Sequence, residues 1–109
     1  RKFLDMYTAA PMRISERMHA ISDLQALIHP DLLRLDRLDP HRTSHYLETL
    51  YAYLICGGNY TDTANYLGLH RNSLIYRMNR IQSIITSDLN NVHNKHFLLI
   101  SYLLMGISF

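Results

Sequence analysis

The stretch Asn59-Tyr60-Thr61-Asp62-Thr63-Ala64-Asn65-Tyr66-Leu67-Gly68-Leu69-His70-Arg71-Asn72-Ser73-Leu74-Ile75-Tyr76-Arg77-Met78-Asn79-Arg80-Ile81 decides how this chain folds. It reads as two short helices joined by the turn Gly68-Leu69-His70. Ala64 is small where the first helix must approach the second. Gly68 follows the apolar end of the first helix at Leu67, where the chain reverses through a left-handed residue and glycine does so without steric cost. Leu69 is expected as the buried anchor of the turn. The second helix is predicted over about residues 71–84, and its Leu74, Met78, Ile81 and Ile85 recur at helical spacing as one apolar stripe. Arg71, Asn72, Ser73, Tyr76, Arg77 and Arg80 fall mostly off that stripe. His70 stands at the N-cap or first-turn position, where it can cap the helix, touch a phosphate or reach a base. The layout is that of a helix-turn-helix. A helix buried on one side and rich in donors and cations from its first turn onward suits the DNA major groove, whose base edges carry readable acceptors and donors.

Working outward, the rest of the chain is also helical in pattern, and the expected fold class is an all-α domain of about five to six helices. A helix from about Ser15 to Ile28 is predicted from Ile14, Met18, Ile21, Leu24 and Leu27 or Ile28, ending before Pro30. A short one should run from about Pro30 to Leu38, broken by Asp39-Pro40. Thr43 or Ser44 is then expected to cap a longer helix whose buried face is Leu47, Leu50, Tyr51 and Leu54, closed by Gly57-Gly58. Thr86-Ser87-Asp88 and Asn90-Asn91 mark a loop, and a last helix is predicted from about Val92 to Met105. Phe97 to Ile107 is too apolar for one buried side, so that helix is either central to the core or half of a subunit interface. In domain terms, residues 1–45 form an N-terminal helical segment and residues 46–109 the helix-turn-helix unit with its apolar C-terminal helix.

Three stretches resemble the C-terminal domain of the PucR/CdaR-type bacterial transcription regulators, over about residues 29–105. They are Tyr46-Leu47-Glu48-Thr49-Leu50-Tyr51-Ala52-Tyr53-Leu54 ahead of Gly57-Gly58-Asn59, then Leu69 to Ile81, then Asp88-Leu89 leading into the apolar C-terminal run. The helix-turn-helix by itself is also Fis-like. Ser73 and Met78 stand where the family usually has threonine and leucine, which keeps the chemistry of each position. Ile75 stands where the family commonly has arginine, so packing against protein, not a DNA contact, is expected there. The resemblance implies a DNA-binding output domain, a two-fold dimer, and an effector-sensing domain in an N-terminal portion outside this sequence. The start at Arg1-Lys2, without an initiator methionine, fits an excised fragment.

Composition is compatible with that reading and excludes others. At 109 residues, 48% hydrophobic and 18% charged, the chain has the makings of a single folded core. The net charge is only +2, but the excess lies in the second half, where Arg71, Arg77, Arg80 and Lys95 face only Asp62 and Asp88. Residues 70–81 contain no carboxylate, so the local field there is positive. The single Cys56 excludes an internal disulfide, and no secretory or membrane segment is visible, so a cytoplasmic setting is expected.

Catalysis is not expected. Cys56 precedes a helix-ending glycine pair, no serine lies in a nucleophile elbow, and Gly57-Gly58-Asn59 lacks the following lysine of a phosphate loop. His41 with His45 and His93 with His96 have helical spacings, yet no cysteine pair or acidic cluster joins them, so neither metal nor cofactor is expected. Asp36 and Asp39, beside Arg37, read as a solvated helix face. Tyr46, Tyr51, Tyr53 and Tyr102 are expected in the core with hydroxyls at the surface, and Tyr76 is the tyrosine placed to touch DNA. The alternative function is a helical protein-interaction or oligomerisation module that keeps the helix-turn-helix shape without binding DNA. Its support is the modest net charge, Ile75 and the apolar C-terminal helix.

Overall fold

A computed structural model describes residues 26–107 and 109. The helix expected from Ser15 lies outside the described residues, except for its last positions. The described residues form five helices and no strand: α1 (Pro30–Leu38), α2 (Tyr46–Ile55), α3 (Tyr60–Leu67), α4 (Arg71–Ile84) and α5 (Val92–Met105).

The expected all-α class is therefore observed, and local chemistry explains most boundaries. Pro30 opens α1, where a missing N–H costs nothing, and the His29 Nδ1 accepts the Asp31 N–H at 3.0 Å. Asn59 caps α3 by accepting the Asp62 N–H at 2.9 Å, and Asn91 caps α5 by accepting from His93 and Asn94. Gly68 ends α3 at φ 68°, the left-handed conformation read from the sequence. Gly58 has a second constraint besides its φ of 78°, because a Cβ there would lie 3.2 Å from the Tyr53 hydroxyl.

One cap departs from expectation. Neither Thr43 nor Ser44 caps α2; His45 occupies the N-cap with a left-handed φ of 58° and its side chain makes no capping bond. The turn is closed instead by Asp39, whose carboxylate accepts the Ser44 N–H at 3.1 Å. Asp39 is accordingly buried, not part of a solvated face, whereas Asp36 pairs with Arg42 at 3.5 Å. A short polar side chain at a helix end can satisfy a backbone donor several residues away, and sequence spacing does not say which donor it will choose.

The centre of the domain is α2, which packs against all four other helices. Leu47, Leu50 and Leu54 are buried as expected, joined by Thr49, Ala52 and Tyr53, while Tyr51 is only half-buried. Leu32 and Leu35 of α1, Leu74, Met78 and Ile81 of α4, and Leu98 of α5 complete the core and are fully buried. The tyrosine expectation fails at Tyr102. Its hydroxyl does not reach the surface but donates to the Leu47 carbonyl at 2.6 Å inside the core. The α5 alternatives are also decided in part: α5 is peripheral, packed on α1 and α2 through Leu98 and Tyr102, and it leaves Phe97, Ile100 and Leu103 exposed.

Candidate nucleic-acid interface

The exposed face of α4 is defined by what the opposite face buries. Leu74, Met78 and Ile81 have no solvent exposure and Ile85 has 8%, so the stripe read from the sequence is the contact to the core. Leu69, expected as a buried anchor, is half-buried, and so is Ile75. The remaining positions of α4 are thereby held toward solvent.

His70 is the N-cap, its Nδ1 accepting the Asn72 N–H at 3.2 Å. Asn72, Ser73 and Tyr76 are exposed, and among the described residues the side chains of Asn72 and Ser73 have no hydrogen-bond partner. Arg71 leans to one edge of the face: its guanidinium donates to Thr61 Oγ1 at 3.3 Å and lies 6.0 Å from the centre of the Tyr60 ring. Tyr60 in turn packs edge-on against Tyr53, which ties that edge to the core. Arg77 leans to the other edge and donates to the buried Thr49 of α2 at 3.3 Å. Arg80 is exposed, with the Tyr46 side chain beside it pushing its pKa still higher. The structure thus brings all seven predicted side chains onto one helix and its cap. α4 itself carries no carboxylate, which leaves this face positive and open.

Sequence reasoning missed the residues that hold this face in place. Tyr60, Thr61 and Thr49 fix Arg71 and Arg77, and nothing in their spacing announces it. The larger omission is Asp31. It is fully buried, and its carboxylate accepts the Thr86 N–H and hydroxyl, each at 3.1 Å, the Ser87 N–H at 2.9 Å and the Ser87 hydroxyl. Arg34 donates both to Asp31 at 3.2 Å and to the Ile84 carbonyl at 3.1 Å, in the last turn of α4. Burial pushes the Asp31 carboxyl up, but the hydrogen bonds from Ser87 and Thr86 together outweigh it and hold its pKa below the ordinary value. His29 completes the cluster, 2.8 Å from the Ser87 hydroxyl, with its pKa lowered by burial and only partly restored by Asp31. Among the described residues no buried side-chain polar atom lacks a partner.

No group of histidine, cysteine or acidic side chains among the described residues is arranged to hold a metal ion. No described helix is long and apolar enough to cross a membrane.

A helical core carrying a glycine-turned helix pair, with a cationic, solvent-facing second helix, defines a helix-turn-helix domain. Residues 46–104 match the PucR C-terminal helix-turn-helix domain, and the chain belongs to that family. It is a DNA-binding regulatory output domain. The chain is similar to the transcriptional activator PmfR of Paenarthrobacter nicotinovorans, 34% identical over 83 residues, covering 76% of this chain and 17% of that protein. It is also similar to the DNA-binding transcriptional activator AdeR of Bacillus subtilis, 34% identical over 64 residues, covering 59% of this chain and 15% of that protein. The chain therefore spans less than one-fifth of the length of these relatives. No solved structure matches it.

Proposed function

We propose that α4 lies in the major groove of double-stranded DNA and that His70, Arg71, Asn72, Ser73, Tyr76, Arg77 and Arg80 form the contact set. The observation that carries this reading is the exposed, carboxylate-free face of α4 standing opposite a fully buried stripe. Arg71, in the first turn, makes the bidentate contact to guanine O6 and N7 by exchanging its Thr61 hydrogen bond for the base. Arg77 and Arg80 lie further along, where the backbone comes into reach, and serve as phosphate contacts. The domain acts by binding and not by catalysis. Selection of bound duplexes from a random pool tests the reading, since a single enriched motif is expected. Arg80→Ala should then weaken specific and random duplexes alike and reduce the salt slope by about one unit. Binding that does not change with salt would instead favour the protein-interaction module.

The working unit we infer is a homodimer within a longer cytoplasmic regulator that also carries an effector-sensing domain. One recognition helix covers a short stretch of groove, and two helices about 34 Å apart would engage successive major grooves. Leu103, 80% exposed, with Phe97 and Ile100 beside it on α5, offers an apolar surface for pairing. An inverted repeat among the selected duplexes is the expected result; one uninterrupted half-site bound by a monomer would overturn the dimer.

A further inference from the structure

The two edges of the exposed α4 face are bordered differently. The first turn of α3 stands against the Arg71 edge. Along the Arg77 edge runs an open cleft of about 560 Å³, walled by Thr43, Ser44 and Tyr46 on one side and by Asn72, Tyr76 and Arg77 on the other. No carboxylate and no aliphatic side chain lines it. The cleft is open and not enclosed, which is the wrong shape for burying most of a small molecule's surface. Hydroxyl, amide and guanidinium donors without a competing acid are what a phosphodiester accepts.

The acids near the segment before α2 are already engaged. Glu48 faces His45 at 3.3 Å, Asp36 faces Arg42 at 3.5 Å, and Asp39 holds the Ser44 N–H. The Asp39 carbonyl also accepts the Arg42 N–H at 2.9 Å, so the wall carrying Thr43 and Ser44 is formed before any ligand arrives. The opposite wall is equally set, because Thr49 already holds the Arg77 guanidinium. A preformed wall loses little conformational freedom on binding.

We propose that this cleft is a second DNA-backbone site. It receives a phosphodiester of the strand that borders the major groove along the α4 edge away from α3. Thr43, Ser44 and Asn72 donate hydrogen bonds to the phosphate oxygens, and Arg77 supplies the charge. The proposal rests on α4 being the groove-facing helix, and it extends the contact surface to residues outside the helix-turn-helix. A backbone contact positions the protein without reading sequence, so the effect belongs to every duplex.

The test uses the full chain and random-sequence duplex DNA across a salt series. Thr43→Asp combined with Ser44→Asp should lower affinity about tenfold at moderate salt, since it sets carboxylates against the phosphate. Thr43→Val with Ser44→Ala, which removes the hydroxyl donors without adding charge, should give a smaller, several-fold loss. The same two charges placed by Asn90→Asp and Asn91→Asp, both exposed in the loop before α5, should change affinity little, an aspartate at position 91 keeping the capping acceptor. Unaltered thermal melts establish that each variant is folded, and the hydroxyl-deleting pair decides the matter if the charged pair is not. Wild-type binding with both cleft variants unchanged, or with the loop charges equally damaging, overturns the cleft alone. Failure of the wild-type chain to bind any duplex overturns the groove-facing reading and the cleft together.

Discussion

At the C-terminal end of α4, Asp31, His29, Thr86 and Ser87 are folded into one another, and Arg34 closes on the Ile84 carbonyl. At its N-terminal end the residue types are similar, with His70, Asn72, Ser73 and Arg71, but Asn72 and Ser73 face water. The difference is burial. A polar group removed from water must find a protein partner, whereas an exposed one keeps its hydrogen bonds with solvent until a ligand replaces them. The buried end fixes where α4 points, and the open end leaves its donors free for the DNA contact proposed above.

The sharpest way to break this contrast is to delete the buried carboxylate. Asp31→Ala removes the buried acceptor of the Thr86 and Ser87 N–H groups and the acid beside Arg34; because Thr86 and Arg34 also reach solvent, a loss of about 2–3 kcal/mol is expected in chemical denaturation. A loss below about 1 kcal/mol would show that water reaches the cluster and that the two ends are alike. Arg71→Ala addresses the other end and should separate binding from stability. It is expected to cost about 1–3 kcal/mol on the selected site and to relax preference at one base pair, with little change in melting. An unchanged selected motif would remove Arg71 from base reading.

The smallest expected effect is on acid stability, and it belongs to the buried end alone. The folded His29 binds a proton less readily than the unfolded one, so its neutral form favours folding and that advantage is lost as pH falls through the ordinary histidine range near about 6.5. Asp31, with its folded pKa depressed, contributes fully above the ordinary carboxyl range and loses that contribution as pH falls through the folded value. Both therefore weaken the domain on the acid side, in two separate steps. His29→Asn keeps a capping acceptor without the titration, and should abolish the first step in melting temperature between about pH 7 and pH 5. A wild-type melting curve flat across that interval would contradict the His29 account.

Wherever the physical cause is local, the chain is legible. The apolar stripe of α4, the Gly68 reversal and the bounds of α1 and α5 follow from spacing and capping within a few residues. The candidate DNA face was legible for the same reason, since removing the stripe from a helix leaves its complement. The partners of that face were not. Thr49 lies on a different helix from Arg77, and Asp31 meets Ser87 across 56 positions of chain. The choice of Asp39 over Thr43 or Ser44 to close the turn before α2 depended on where α1 ends in space.

Sequence by itself determined the helices, the turn and the side of α4 that stays wet, because helical periodicity and chain-reversing glycines act between near neighbours. Tertiary structure alone decided that α2 is central and α5 peripheral, that Tyr102 buries its hydroxyl, and that Arg71 and Arg77 are drawn to opposite edges of one face. Those outcomes require distant groups to compete for the same buried space and the same hydrogen-bond donors, and that competition exists only once the helices have packed.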